Sequence, residues 1–406
     1  MTIRDTIEAN WRREVDFLKA LVRVPSDNPP GDCAPAAEVA ARELAAMGFS
    51  VERHPVPAAV AAANGMKSAT NLIVRKTFGS GKGPVIALNA HGDVVPPGEG
   101  WTVDPYGAVE KDGALYGRGV AVSKSDFATY AFALLALGAN SDGLNGGIEL
   151  HFTYDEEAGG MIGPARLIEE KLTKATLAIS AGFAYAITTA HNGVLHLEVT
   201  IRGKQAHAAM PHTGADALEA TVPVLAAIYG ERKRLAGLVS KEKGIGSPQI
   251  TVGLIGGGIN TNVVPDKITL RIDRRIIPDE DGAAVEKALT GLIEKAAPAG
   301  QGITVECRRI MLAEPLRPLP GVERMVGIIQ RHAKAVLGVE VAATGVPLYT
   351  DARHYSAAGI PTVLYGAGPR SILEANAHGA DEHLQLSDLR AATEIIALTL
   401  ADLLRA

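Results

Sequence analysis

A histidine and an aspartate stand two residues apart at the end of an apolar run in the segment LNAHGDVVP, residues 88–96. The run VIALNA is typical of a buried strand, and side chains alternate along a strand, so His91 and Asp93 are expected to point the same way. An imidazole can bind a metal ion through one nitrogen while a nearby carboxylate orients the ring. The pair therefore predicts a metal ligand and its orienting acid at the end of this strand.

Strands and helices alternate along the N-terminal part of the chain, and this alternation must position the pair. Apolar runs predict the strands, while helical periodicity and capping signals predict the helices. Their alternation is typical of an α/β sheet covered by helices, in which catalytic groups cluster at the carboxyl ends of strands. The predicted strands cover about residues 50–52, 71–75, 85–90 and 147–154. The first predicted helix ends near residue 24, and two others cover about residues 34–47 and 124–137.

The pattern changes near Gly193, where the segment VLHLEVTIRG alternates like a half-exposed strand. A helix at 216–234, strands at 249–254 and 267–275, a helix at 281–296 and a strand at 303–310 are then expected. This order, βαββαβ, predicts an inserted ferredoxin-like domain. The α/β pattern resumes after Pro315, with a strand at 361–365 and a closing helix at 386–404. We therefore predict a discontinuous catalytic domain with a helix-flanked central sheet, residues 1–192 and 313–406, around an inserted domain of residues 193–312.

Composition restricts the partners that this chain can have. A chain of 406 residues with 47% hydrophobic content exceeds the usual size of one core, which favours two domains. The net charge of -5 gives no basic footprint for nucleic acid or an acidic membrane surface. The first residues predict an amphipathic helix that contains acids, unlike a signal peptide, and no run of about 18 apolar residues predicts a membrane span. We expect a cytoplasmic protein that acts on small molecules.

Further segments give the chain a family resemblance. It resembles, over nearly its whole length, the metallopeptidase family that includes acetylornithine deacetylase, succinyl-diaminopimelate desuccinylase, aminoacylase and glutamate carboxypeptidase. Each matching segment is weak alone, but their combination in this order is specific. The segments are HGDVVP at 91–96, WTVDPYGAVEKDGALYGRG at 101–119, DEEAGG at 155–160, GKQAHAAMPHTGADAL at 203–218, NVVPD at 262–266, TDARHYSAAGIPTVLYG at 350–366 and HGADE at 378–382.

The resemblance implies a centre with two divalent metal ions joined by one aspartate and one water. His91 matches a ligand of the first metal, and Glu157 and His378 match ligands of the second. Glu156 matches the general base that deprotonates the bridging water, and Asp93 joins the implied catalytic set beside His91. We call the two implied places the first and second metal positions.

The resemblance also implies a substrate-holding apparatus. His207 matches a lid histidine that reaches across a dimer interface to stabilise the oxyanion, so a homodimer through the inserted lid domain is expected. Asn262, Arg275 and Arg353 match polar and basic positions that hold a substrate carboxylate, a task suited to a guanidinium group.

Two metal-ligand positions depart from the family pattern. The pattern GRGxxDxKGG becomes GRGVAVSKSD, so Val122 stands where the bridging aspartate is expected, and counting from both sides places Ala181 at a missing glutamate. Neither side chain can donate an electron pair, and a catalytic zinc needs about three protein ligands. The first position should be empty, and the second keeps two ligands. Asp126, on the same helix face as Val122, is either a substitute ligand or an ordinary helix-start acid.

We therefore expect at most one divalent ion per chain, with zinc the first choice, or none. The leading function is hydrolysis of an amide bond in a small N-acyl amino acid or a similar carboxylated substrate. One alternative is a metal-independent enzyme of another reaction type, with Glu156 as acid/base and Lys124 or His378 in new roles. The other is a non-catalytic binder of a carboxylated small molecule, although a buried acid pair without a task is costly.

Overall fold

Six helices of the computed structural model, which describes residues 2–298, 300 and 302–405, begin and end close to the predicted bounds, and four other helices were not predicted. The first begins with a capping box, in which Thr2 Oγ1 accepts from the Asp5 amide and Asp5 Oδ2 accepts from the Thr2 amide. The helices are α1 (Ile3–Val22), α2 (Ala34–Ala46), α3 (Ala58–Ala63), α4 (Lys124–Gly138), α5 (Pro164–Glu169), α6 (Ala217–Leu235), α7 (Gly282–Ala296), α8 (Val322–Leu337), α9 (Ala352–Ala357) and α10 (Leu386–Leu404).

The strands form three sheets. The largest has the order β1-β2-β6-β3-β7-β14-β8-β13, a second has the order β10-β11-β9-β12, and a small one has the order β15-β5-β4. The strands are β1 (Val51–Pro55), β2 (Thr70–Phe78), β3 (Val85–His91), β4 (Val109–Lys111), β5 (Ala114–Tyr116), β6 (Gly146–Thr153), β7 (Leu177–Ser180), β8 (Ala186–His191), β9 (Gly193–Arg202), β10 (Gln249–Gly257), β11 (Lys267–Ile276), β12 (Thr304–Ala313), β13 (Ala342–Val346), β14 (Thr362–Leu364) and β15 (His383–Gln385).

The first of two units contains the chain up to Thr189, residues 318–344 and the chain from Thr350 onward. Strand β3 runs parallel to both β6 and β7 in its sheet, and nearly all of its side chains are buried. Helix α4 is buried along most of its length, and Phe127 on it stacks on Phe152 of β6 with ring centroids 3.8 Å apart. Each fully buried large side chain stabilises the folded state by about 1.5–3 kcal/mol, so the packed core holds the carboxyl end of β3 in place.

The second unit contains Ala190–Arg317 and Gly345–Tyr349. It has the element order β9, α6, β10, β11, α7, β12, and all neighbouring strands of its sheet are antiparallel. Along β9, apolar side chains such as Leu195 and Leu197 are buried in this unit's core, while His196 and Glu198 alternate with them on the other face. The βαββαβ order of the sequence interpretation is therefore present in this unit.

The unit boundaries lie at 189/190 and 317/318, a few residues outside the predicted 192/193 and 312/313. One segment was assigned differently, because residues 345–349 were expected in the catalytic domain and belong to the second unit. The backbone explains this difference. The Gly345 amide donates to the Lys243 carbonyl, and the Asn192 amide donates to the Val346 carbonyl, so this short segment is bonded into the second unit. Among the described residues, no helix combines the length and apolar character required to cross a bilayer.

Candidate active site

His91 is the last residue of β3, and its ring is held in one orientation. Nδ1 lies 3.0 Å from the backbone carbonyl oxygen of Asp93, which fits a donated hydrogen bond. Nε2 then faces the other way and lies 4.0 Å from Oε2 of Glu156. Ring orientation by a bond to one nitrogen leaves the other nitrogen available as a ligand, the arrangement common in metal-binding histidines. The sequence assigned this orienting role to the Asp93 carboxylate, whose Oδ1 is more distant, at 3.4 Å.

The Asp93 carboxylate instead holds the turn that carries the two glutamates. It is fully buried; Oδ1 accepts from the Glu156 amide at 3.2 Å, and Oδ2 accepts from the Glu157 amide at 3.1 Å. Asn28 Nδ2 donates to Oδ2 at 2.9 Å. An ionised carboxylate makes strong bonds to backbone amides, so this side chain fixes the short 3₁₀ turn Glu156–Ala158. The sequence offered no signal for Asn28 beyond its place in a loop rich in proline and glycine.

The turn presents two carboxylates toward two imidazoles. Ligand atoms of His91, Glu156 and Glu157 all lie within 4.8 Å of one another, which is close enough for a shared cation. Nε2 of His378 lies 3.2 Å from Oε1 of Glu157. That oxygen is buried and, among the described residues, makes no hydrogen bond of acceptable geometry. The structure therefore brings together four residues that the resemblance assigned to catalysis or metal binding.

The protonation behaviour of the cluster reflects burial and crowded acids. Burial would lower the pKa of His91, but the nearby carboxylates of Asp93, Glu156 and Glu157 raise it well above its usual range. Burial raises the pKa of Glu156 to about 7, and the charges of Glu157 and Asp93 act in the same direction. The neighbouring Glu157 carboxylate raises the pKa of His378. For Glu156, the loss of solvation on burial raises the pKa more than repulsion from Glu157 does. The acids favour a positive charge here, whether a proton or a metal ion.

Both residues that depart from the family pattern lie beside the strand that ends at His91. Ser123, next to Val122, exchanges hydrogen bonds with the backbone of His91, since its Oγ accepts from the amide at 3.2 Å and donates to the carbonyl at 3.1 Å. The Ala181 amide donates to the carbonyl of Asn89 at 2.8 Å. Position 181 is thus bonded to this strand and position 122 directly precedes a residue bonded to it, and neither a valine nor an alanine side chain can be a metal ligand. The residues present do not fit an ion at the first metal position.

Asp126 does not serve as the substitute ligand that its helical position allowed. Its carboxylate is buried, and Oδ1 accepts a hydrogen bond from the Ala367 amide at 2.7 Å. The Gly182 amide also bonds this carboxylate, while burial raises the pKa of Asp126 to about 7. The carboxylate thus binds two backbone segments, one of which directly follows Ala181. The ordinary structural interpretation of Asp126 is the one that these contacts support.

Three further buried charged residues fix the chain around position 122. Arg118 Nη1 bonds Glu382 Oε2 at 2.6 Å, while Glu382 Oε1 accepts from the amides of Ala121 at 2.9 Å and Val122 at 3.3 Å. Lys124 Nζ donates to the carbonyls of two residues that end or follow α1, Leu21 and Val24, each at 3.1 Å. Those bonds give Lys124 a structural task, which removes the support for a new catalytic role.

Arg353 contacts the residue that directly follows the turn Glu156–Ala158. Its guanidinium is buried, with Nη2 donating to the Gly159 carbonyl and Nη1 to the Thr350 carbonyl. These bonds support the turn, and the predicted contact with a substrate carboxylate stays a prediction.

Asp351, which sequence reasoning missed, is also buried, and its Oδ1 has no hydrogen-bond partner among the described residues. Burial raises its pKa well above the usual range, with Asp155 and Glu156 adding to the effect. The sequence signal that could have identified Asp351 was its place in TDAR, the start of the matching segment at 350–366.

The remaining predicted residues belong to the second unit. His207 is exposed and forms a bridge with Val263, while the Asn262 carbonyl accepts from the Ala208 amide at 3.0 Å, so these two loops are paired. Arg275 Nε donates to Asp273 Oδ1 at 3.0 Å, and His196 Nε2 lies 3.0 Å from Oδ2 of the same aspartate. The structure thus brings His207 and Asn262 together on paired loops and gives Arg275 an acidic partner.

Comparison with known proteins identifies the family. The model of peptidase family M20/M25/M40 matches residues 87–402. The chain belongs to this family. A succinyl-diaminopimelate desuccinylase from Acidiphilium cryptum is 28% identical over 390 residues, which cover 94% of this chain and 96% of that protein. Membership confirms the resemblance and makes this M20 chain a hydrolytic enzyme that cleaves amide bonds.

Solved structures share the fold of this M20 chain. A tripeptidase from Staphylococcus aureus superposes with a TM-score of 0.76 and 21% identity, covering 98% of this chain and 99% of that one. A protein from Bacillus subtilis, described as a dinuclear metal-binding peptidase of the M20 family, gives a TM-score of 0.69 and 17% identity, covering 98% and 99% of the two chains. The family background is thus metal-dependent hydrolysis.

Proposed function

We propose that this chain hydrolyses the amide bond of a small N-acyl amino acid or a similar carboxylated substrate, with Glu156 as the acid/base. The observation that carries the proposal is the fixed turn, in which Asp93 bonds the amides of Glu156 and Glu157. A general base must be held within reach of the proton that it takes, and this turn holds Glu156 facing His91 Nε2 at 4.0 Å.

Glu156 suits both halves of such a reaction. With its pKa near 7, the carboxylate can take a proton from the attacking water and return it to the leaving amine at neutral pH. Its side chain is only slightly exposed, at 14%, which limits competition from bulk water. Arg353 helps to position the turn that carries Glu156 through its bonds to the carbonyls of Gly159 and Thr350. These residues supply proton transfer and its positioning.

The proposed centre holds at most one divalent ion per chain, with zinc the first choice. Such an ion supplies Lewis-acid polarisation of a carbonyl and lowers the pKa of water when it is bound. Support comes from the donor set, because Glu157 and His378 retain ligand atoms 3.2 Å apart. Val122 and Ala181 offer none at the first position, where His91 alone remains. A second ion would have too few protein ligands.

We also propose that Asn262, Arg275 and Arg353 bind the substrate carboxylate and that the chain forms a homodimer through the second unit. His207 and Asn262 are exposed on paired loops, and Arg275 offers a guanidinium that is only partly buried. Strand β10 lies at the edge of its sheet and exposes Leu254 at 62% and Ile255 at 56%. An exposed apolar edge strand is a common site of pairing between two copies. In such a dimer, the His207 of the partner lid would complete the site, as the family resemblance implies.

The test is a screen for free-amine release from N-acetyl and N-succinyl amino acids and from dipeptides, each matched with its C-terminal amide. The protein is stripped with a chelator and assayed alone, with zinc and with cobalt. We expect hydrolysis of carboxylated members, loss of at least tenfold in kcat/KM for the amidated partners, and dependence on Glu156. Binding of carboxylated compounds with no hydrolysis under any condition would contradict an enzyme and favour a binding protein.

A further inference from the structure

Arg275 lies on the exposed face of the sheet in the second unit, and one edge of its guanidinium is already engaged. Nε donates to Oδ1 of Asp273 at 3.0 Å. The two residues stand two positions apart on β11, so their side chains emerge on the same face of the sheet. Neither Nη nitrogen of Arg275 makes a hydrogen bond within the described part of the chain, and the side chain is 33% exposed. The end of the guanidinium that can contact a carboxylate through two bonds is therefore open.

Asp273 is held in turn by a residue of the neighbouring strand. His196 of β9 stands directly opposite Asp273 in the antiparallel register, and its Nε2 lies 3.0 Å from Oδ2 of Asp273. Each carboxylate oxygen thus has one partner on this face. Burial alone would raise the pKa of Asp273, but the hydrogen bonds from His196 and Arg275 lower it below its usual value. The carboxylate is therefore ionised at neutral pH and is a charged acceptor for Nε of Arg275.

We infer that Asp273 is a positioning residue for substrate binding, which fixes the guanidinium plane of Arg275 and keeps both Nη groups available to the substrate carboxylate. This inference rests on the proposed function, in which Arg275 binds that carboxylate. An arginine side chain has several rotatable bonds, and holding it in place beforehand removes an ordering cost from each binding event. His196 supports the same orientation, because it holds the second oxygen of Asp273.

Competition between Asp273 and the substrate for Arg275 would have a different geometry. A competing carboxylate would occupy the Nη edge, whereas Asp273 bonds Nε alone. A neighbouring pair on the same face shows the contrast, since Arg308 bonds Glu198 through both Nε and Nη2. The bond from Asp273 thus orients the guanidinium without covering the edge that a substrate would use.

The first measurement uses neither substrate nor metal. Full-length protein carrying isotope-labelled arginine gives the Nε–H signal of Arg275 by NMR, and the loss of this signal in Arg275→Lys assigns it. We expect Asp273→Asn to raise the exchange rate of this proton with water by about tenfold, because a charged acceptor is lost. Asp273→Glu keeps a carboxylate and should restore most of the protection. Glu198→Gln, an acid of the same face that bonds other arginines, is the matched control and should leave the rate unchanged.

The second measurement compares the best carboxylated substrate of the screen with its C-terminal amide. Asp273→Asn should raise KM for the carboxylated member by roughly three- to tenfold, while kcat stays within about twofold and KM for the amide hardly changes. Equal changes in KM for both members, the result expected of a merely structural acid, would overturn the inference. A lower KM for the carboxylated member would overturn it as well, because Asp273 would then be a competitor.

Failure of this inference and failure of the proposed function are distinguishable. A screen without hydrolysis contradicts the function, whereas unaltered Nε–H exchange in Asp273→Asn overturns the positioning role whatever the screen shows. If compounds bind without being hydrolysed, their dissociation constants replace KM in the comparison. Circular dichroism identifies a variant that fails to fold, and His196→Gln, which alters the support of the same carboxylate from β9, then replaces Asp273→Asn with the same expected direction.

Discussion

The carboxylate of Asp93 accepts a hydrogen bond from the backbone amide of Glu157, 64 residues along the chain, at 3.1 Å. A buried acid at the end of one strand thus fixes the backbone that presents the acids of another segment. Asp93 therefore supports both the turn Glu156–Ala158 and His91. The role inferred from sequence, orientation of the imidazole, is performed mainly by its backbone carbonyl.

Asp93→Ala should therefore affect the turn as well as the histidine. We expect a loss of about 2–4 kcal/mol in the free energy of unfolding, because two amides and the Asn28 side chain lose a buried charged acceptor. Metal affinity should fall as well. Urea unfolding and cobalt titration measure the two effects, with the exposed Asp142→Ala as control. Equal stability of Asp93→Ala and the control would show that the turn is held by other contacts.

Glu156→Gln should lower kcat by a factor of roughly 10² to 10⁴ once a substrate is found, because glutamine keeps the shape and removes proton transfer. KM should change little. Cobalt affinity should also stay within a few-fold, since the proposed metal ligands are Glu157 and His378 rather than Glu156. Steady-state kinetics on the variant and on Glu169→Gln, an exposed helix position, provide the comparison. Near-normal turnover would assign the acid/base role to another group.

Asp126 should make the stability of the protein depend on pH. Burial raises its pKa from 3.8 to about 7, so between these values the folded state binds a proton that the unfolded state has lost. The contribution of this group is thus largest in acid and declines as pH rises toward 7. From pH 5 to pH 8 the metal-free protein should lose roughly 2 kcal/mol that Asp126→Asn does not lose. Urea unfolding at both pH values tests this, and parallel behaviour of the two proteins would refute it.

Val122→Asp combined with Ala181→Glu should raise metal stoichiometry from one toward two ions per chain. The substitutions return carboxylates beside the strand end at His91, which restores a bridge and a third ligand at the first position. Equilibrium dialysis with zinc and elemental analysis measure the ratio. Ala181→Glu alone is the control and should leave it at one, because the bridge is still absent. A double variant that still binds one ion would show that our placement of the missing ligands is wrong.

Leu254→Lys should weaken the proposed homodimer, raising its dissociation constant by at least tenfold, because a charge would enter the exposed apolar edge of β10. Val239→Lys is the matched control, since Val239 is also exposed, at 74%, and lies outside the strands. Sedimentation velocity across the micromolar range distinguishes the two variants. An unmodified protein that is monomeric throughout this range would exclude the dimer itself.

Sequence alone predicted local structure well and long-range partners poorly. The strand ending at His91 follows from an apolar run, and α10 was predicted at its observed bounds because its periodicity is regular. Helical spacing placed Asp126 on the face of Val122, but nothing local indicated that the Ala367 amide, 241 residues away, would engage it. Asn28 beside Asp93 is a similar case. Contacts made by loops depend on the tertiary fold, which periodicity does not encode.

The ion pair of Arg118 and Glu382 supports the backbone at residues 121 and 122 independently of any metal ion. Glu382 bonds the amides at 121 and 122, so this support of the loop does not use the side chain at position 122. We therefore expect that substitutions at position 122 can change the number of bound ions while the backbone stays in place, which would allow one-ion and two-ion catalysis to be compared in the same chain.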